Sequence, residues 1–155
     1  MDRDFERVYT VEDWWDDPRL GVANLHGAPH WYRSIFDEAA DEWDPDRFEL
    51  SPISPAMMPS VLEAWEIWLR WLTAFHSGGL SDEDSAEPYG ALSRDKARYT
   101  ELRRQLDAVC VINPNIVVVM RGEFRPVAPL PTGHLVGVPA ELEVRWRTGD
   151  GARAI

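Results

Sequence analysis

SPAMMPSVLEAWEIWLRWLTAFHSGG, residues 54–79, is the stretch on which the fold class turns. Met58, Val61, Leu62, Trp65, Trp68, Leu69, Leu72 and Phe75 recur at the spacing of one helix face. Ser54 with Pro55, or Pro59 in the first turn, can start the helix, and Gly78 with Gly79 stops it. Glu63, Glu66 and Arg70 form a narrow polar wedge, with Glu66 and Arg70 four apart in the favourable order. Ile67 and Trp71 widen the apolar arc beyond half the circumference, so this helix is expected to be nearly surrounded by protein or by a partner.

The sequence on either side has a different period. Upstream, VYTVEDWW (8–15), GVANL (21–25), HWYRSIF (30–36) and RFELSPI (47–53) are rich in β-branched and aromatic residues and read as four strands. DDPR (16–19) carries turn chemistry, HGAP (26–29) reads as a hairpin loop, and DEAADEWDPD (37–46) reads as an acidic loop or helical turn. Downstream, residues 77–93 read as a polar, mobile linker. A second helix over residues 94–111 is capped by Ser93 and carries Tyr99, Leu102, Leu106, Val109 and Cys110 on its apolar face. NIVVVMRGEFRPV (115–127) reads as a strand, and PAELEVRWRT (139–148) shows the cleanest alternation in the chain, with Leu142, Val144 and Trp146 on one face.

Strands, then two helices, then strands is the order of an α+β fold. The expected architecture is a curved antiparallel sheet of about six strands, with two helices inserted between strand 4 and strand 5 and packed on one face. The first and last strands are expected to close the sheet together. One domain is expected over residues 8–147, with flexible termini at 1–7 and 148–155.

Hydrophobic residues make up 45% and charged residues 28%, a globular balance that argues against overall disorder. The lone Cys110 rules out an intramolecular disulfide framework. No basic-then-apolar leader and no long apolar run is visible, so a cytoplasmic protein is expected. The net charge of −11 is uneven: residues 1–50 hold 14 acids against 5 arginines, whereas residues 101–155 hold 6 acids against 7. An acidic pole of this kind repels nucleic acid and anionic membrane and suits a basic protein partner. Solubility and internal pairing with the C-terminal arginines form the competing explanation.

No nucleophile elbow, phosphate loop or dinucleotide fingerprint is present, so catalysis is left open with the balance against it. His26 and His30 flank a turn, but HGAPH lacks a metal-ligand spacing, and neither metal nor cofactor is expected. His76 ends the first helix, where an imidazolium suits the dipole, and Cys110 reads as buried and inert. In VEDWWDDPRLG (11–21) strand alternation places Trp15 in the core and Trp14 at the surface, unless a β-bulge intervenes. Asp16 and Asp17 turn the chain, and Arg19 is expected to meet a carboxylate. The candidate binding residues are Trp14, Asp16, Asp17, Arg19, His26, His30 and Tyr32.

Asp13-Trp14-Trp15-Asp16-Asp17-Pro18-Arg19, then Gly21-Val22-Ala23, then Gly27-Ala28-Pro29-His30-Trp31-Tyr32, a tryptophan-rich helix and RGEFRP (121–126) together form a pattern. It resembles that of a set of short bacterial proteins of unknown function. The resemblance runs from about Tyr9 to Trp146 and implies one coherent domain and a bacterial origin, with no activity or site residues to carry over. Three functions fit these features. The first is a non-catalytic, immunity- or inhibitor-like module whose acidic, aromatic N-terminal surface binds a basic protein. The second is a small-ligand or enzyme pocket between sheet and helices, using His26, His30 and Tyr32. The third is an accessory subunit of a larger assembly.

Overall fold

The computed structural model describes residues 4–148. The fold is α+β, a six-stranded antiparallel sheet with its helices between the fourth and fifth strands. The described residues group into two compact units where the sequence suggests one domain: 4–55, 110–128 and 141–148 form the sheet unit, and 56–109 with 129–140 form the helical unit.

The sheet closes into a barrel. Its strands are β1 (Phe5–Trp15), β2 (Asp17–Leu25), β3 (Ala28–Asp37), β4 (Glu42–Pro52), β5 (Val118–Pro126) and β6 (Leu142–Arg147). Each pairs antiparallel with the next in sequence, and β6 returns to β1 through Phe5–Arg145, Glu6–Val144 and Arg7–Glu143. The expected meeting of the terminal strands is thus what closes the sheet.

The first four strands all start earlier than the sequence suggests: β1 at Phe5, within the terminus expected to be flexible, β3 at Ala28, and β2 and β4 by several residues. The β1–β2 turn is a single residue, Asp16 at φ 65°, so Asp17, Pro18 and Arg19 already belong to β2. Likewise β4 begins at Glu42, inside the stretch read as a loop. Asp44 accepts the backbone N–H groups of Asp46 and Arg47, which accommodates Pro45 where the β3–β4 register is irregular. Between β2 and β3 the turn is His26–Gly27, both at positive φ, the geometry that matches the twist of a two-residue hairpin. The Glu6 carboxylate secures this turn by accepting the N–H groups of His26 (3.0 Å) and Gly27 (2.7 Å).

Four rings fill the interior. Tyr32, Phe48, Phe124 and Trp146 make all six possible pairwise contacts, with centroids 5.4–6.2 Å apart and tilted or edge-on. Tyr32 and Phe48 are fully buried, as are Val22, Leu50 and Val144, while Phe124 and Trp146 are half-buried. Two glycines make room. A methyl on Gly21 would overlap the Thr10 carbonyl oxygen and lie 2.7 Å from the Tyr32 hydroxyl; one on Gly122 would lie 2.5 Å from Trp146. Outside, the alternation of β6 yields cross-strand ion pairs: Glu143 with Arg125 at 2.6 Å and Arg145 with Glu123 at 2.7 Å. Arg121 bonds Asp46 at 2.7 Å.

In β1 simple alternation fails. Val8, Thr10 and Val11 are all buried, because the register with β2 shifts between Val8 and Thr10, between Val11 and Asp13, and between Asp13 and Trp14. At the first shift the Thr10 hydroxyl accepts the Val22 N–H at 2.9 Å, and the Thr10 carbonyl accepts the Tyr32 hydroxyl at 3.0 Å. Side chains thus replace part of the interrupted ladder.

In the helical unit, α1 (Met58–Ser77) follows a 3-10 turn and ends at Gly78, φ 75°. Its fully buried positions are Val61, Ala64 and Ile67. Trp65, Trp68 and Leu72 are half-buried and Phe75 is 53% exposed, so the buried stripe is rotated from the face expected. The apolar arc is wide enough that periodicity does not single out its centre, and Ala64 permits close approach there. Arg70 turns to Asp95 with two bonds at 3.1 Å rather than to Glu66. The segment read as a linker carries α2 (Asp82–Ser85), with a reciprocal Ser81–Asp84 capping box. Lys96 bonds the carbonyls of Ala86 and Pro88. The next helix, α3, spans Lys96–Leu106 and is shorter than expected. Ser93 opens a 3-10 turn rather than capping α3, and Cys110 lies beyond the helix, half-buried.

Candidate functional site: an acidic aromatic rim

In an up-and-down meander alternate turns share an end. The β1–β2 turn and the β3–β4 hairpin therefore lie at one rim of the barrel, and the His26–Gly27 turn lies at the other. Register ties the two rim elements together: Leu20 of β2 pairs with Arg33 of β3, which places the start of β2 beside the end of β3. Arg19 adds a link. Its buried guanidinium donates to the Ser34 hydroxyl (3.3 Å) and the Asp44 carbonyl (3.1 Å), reaching across β3 to β4.

The rim carries large rings at the surface. Trp14 is 51% exposed, in agreement with the surface position expected for it, while the Trp15 side chain lies outside the described residues. On the neighbouring hairpin Phe36 and Trp43 face one another across β3 and β4, edge to face with centroids 5.1 Å apart, and are 42% and 38% exposed. Acids surround these rings: Asp13, Asp16, Asp17, Asp37, Glu38, Asp41 and Glu42 are all exposed. Partial burial raises the pKa of Asp17; the Arg19 charge opposes this and the Asp16 charge adds to it. Asp44 is pushed up by burial, but bonds from the Arg47 side chain and from the backbone N–H groups of Asp46 and Arg47 leave it below the ordinary value.

The seven residues proposed from sequence go to four places. Trp14, Asp16 and Asp17 are together on the rim. Arg19 is buried in the barrel wall behind it. Tyr32 is in the core, fully buried, and burial together with the Glu12 charge raises its hydroxyl pKa well above the usual value, so it acts as a neutral donor to Thr10. His26 and His30 are at the far end, where the His30 ring bonds the Ala28 carbonyl at 2.8 Å. Phe36 and Trp43 were not singled out from sequence. The signal was present, since one aromatic stands on each side of the acidic DEAADE, but only strand pairing makes them neighbours.

At the far end an open cavity of about 570 Å³ is lined by Asp4, Glu6, His26, Arg145, Trp146 and Arg147 among others. The Nε of Arg145 is buried without a partner. Among the described residues no three His, Cys, Asp or Glu side chains converge as metal ligands, and no helix is long and apolar enough to cross a membrane. Comparison with protein-family models, with curated proteins and with solved structures finds no match.

Proposed function

We propose that this protein is a non-catalytic binding module whose acidic, aromatic rim engages a basic protein. The observation that carries this reading is the half-exposed Trp14 on the same barrel rim as the exposed Phe36–Trp43 pair, amid seven exposed carboxylates. Aromatic rings supply contact area and hot-spot energy, and surrounding charges steer encounter and select the partner's sign. Much of the basic charge late in the chain is engaged near its own strands: Arg125 with Glu143, and Arg145 with Glu123. That pairing leaves the rim's field to face outward.

Comparative capture from a cell lysate tests the proposal. Immobilised wild type should retain a basic protein at low salt and release it as salt rises. The same column carrying Asp16→Asn, Asp37→Asn and Asp41→Asn should retain much less of it. Equal retention by both columns would overturn the reading.

A second reading, a small-ligand site, has one specific support: the cavity at the opposite end with the orphaned Arg145 Nε. Its lining holds both acids and bases, so it selects no ligand charge, and it ranks below the rim. A thermal-shift screen with Arg145→Met as control tests it.

A further inference from the structure

Aromatic rings of the sheet unit meet cations in one place and lack them in another. Where β1 meets β6, rings lie under arginines of the same chain. The Arg7 guanidinium carbon stands 4.4 Å from the centre of Tyr9, and those of Arg125 and Arg145 stand 3.5 and 5.0 Å from the centre of Phe5. Both rings are half-buried. On the rim no arginine or lysine lies over a ring among the described residues, and Trp14, Phe36 and Trp43 are 51%, 42% and 38% exposed. The edge-to-face contact of Phe36 with Trp43 uses a face of only one of the two rings, so the remaining faces are left to other contacts. Carboxylates divide in the same way. Glu143, Glu123 and Asp46 each hold an arginine of a neighbouring strand. Asp16, Asp37, Asp41 and Glu42 pair with no arginine or lysine among the described residues.

We infer that the rim selects arginine over lysine in its partner: guanidinium groups of an arginine-rich segment stack on the Trp14, Phe36 and Trp43 rings while their N–H groups bond the surrounding carboxylates. This rests on the reading of the rim as a site for a basic protein, and it names the side chain recognised. The chain itself covers Phe5 and Tyr9 with guanidinium, which is the group the rim rings lack. A planar guanidinium lies flat on a ring and still directs its donors outward in its own plane, so stacking and carboxylate bonding occur together. An ammonium is a compact, strongly hydrated point charge and must shed more water to reach a ring. Acids alone attract either cation; exposed rings beside them favour arginine.

The test uses the whole protein and two synthetic peptides of equal length and charge, one alternating arginine with serine and the other lysine with serine. Affinity is read by fluorescence anisotropy at constant salt, and ring contact by the NMR shifts of the Trp14 and Trp43 indole N–H groups. The inference expects the arginine peptide to bind about tenfold more tightly and to move both indole signals. It expects Trp14→Ala, and separately Phe36→Leu with Trp43→Leu, to reduce that advantage, each variant being checked for folding by circular dichroism. Equal affinity for the two peptides would overturn the selection of arginine while leaving the acidic rim as the site. An arginine preference unchanged in both variants would overturn the rings as its source. Binding of neither peptide would overturn the rim reading as well. Self-association of the free protein that Trp14→Ala abolishes would name a second copy as the occupant and overturn the arginine-rich partner.

Discussion

Gly21→Ala tests the closest approach in the barrel. The added methyl overlaps the Thr10 carbonyl oxygen on β1 and stands 2.7 Å from the Tyr32 hydroxyl. The second distance alone is about 0.6 Å inside the ~3.3 Å of a carbon–oxygen contact. Tyr32 can rotate little, because its ring touches Phe48, Phe124 and Trp146, so β1 must move away from β2. Overpacking of this kind costs about 1–3 kcal/mol, and loss of the Tyr32–Thr10 bond adds about 1 kcal/mol. A total of about 2–4 kcal/mol corresponds to a melting temperature lower by roughly 5–15 °C for a chain of this size. The assay is thermal denaturation followed by far-UV and near-UV circular dichroism, the latter reporting the ring cluster. Tyr32→Phe alone should cost about 1 kcal/mol, and the double variant should cost less than the sum, because removing the hydroxyl relieves part of the clash. A Gly21→Ala protein that melts with wild type would refute the packing described for this site.

Ile67→Ala, at the most buried position of α1, should cost about 2–5 kcal/mol, and Trp65→Ala, at a half-buried position, should cost less; the reverse order in chemical denaturation would restore the face read from periodicity. The Asp84 carboxyl is held at about 2, below the usual 3.8, chiefly by the Ser93 and Ser81 N–H groups. A depressed folded-state pKa stabilises above the unfolded value and loses that contribution as pH falls through the folded one. Asp84→Asn should therefore flatten the acid-side fall in stability between about pH 4 and pH 2, which melting temperatures across that range will check. Trp14→Ala removes a half-exposed ring and should change stability by no more than about 0.5 kcal/mol in urea denaturation.

The strand–helix–strand order was legible because periods change abruptly at Ser54 and again near Asn115. In β6, Leu142, Val144 and Trp146 alternate cleanly with charged residues, and the structure puts Leu142 and Val144 in the core and Trp146 among the interior rings. What stayed hidden depends on contacts that no single stretch carries. The early starts of β2 at Asp17 and β4 at Glu42 are set by pairing with β1 and β3, in segments whose acids and prolines look like loop. The bulges of β1 bury Thr10 because its hydroxyl serves the Val22 N–H across the sheet, which no pattern within VYTVEDWW reveals. For the site, Trp14 and its acidic turn were readable from local composition. Tyr32, read as a candidate binding residue, is a core residue whose fit depends on Gly21, eleven residues away, and Phe36–Trp43 required the hairpin register.

The most direct measurement of the rim's role is the dissociation constant, by calorimetry, of the captured basic protein for wild type and for Trp14→Ala across a salt series. The account predicts that wild-type affinity weakens steadily with salt, and that Trp14→Ala loses about 2 kcal/mol, roughly thirtyfold, while melting as wild type does. Equal affinity of the two proteins at every salt concentration would contradict it.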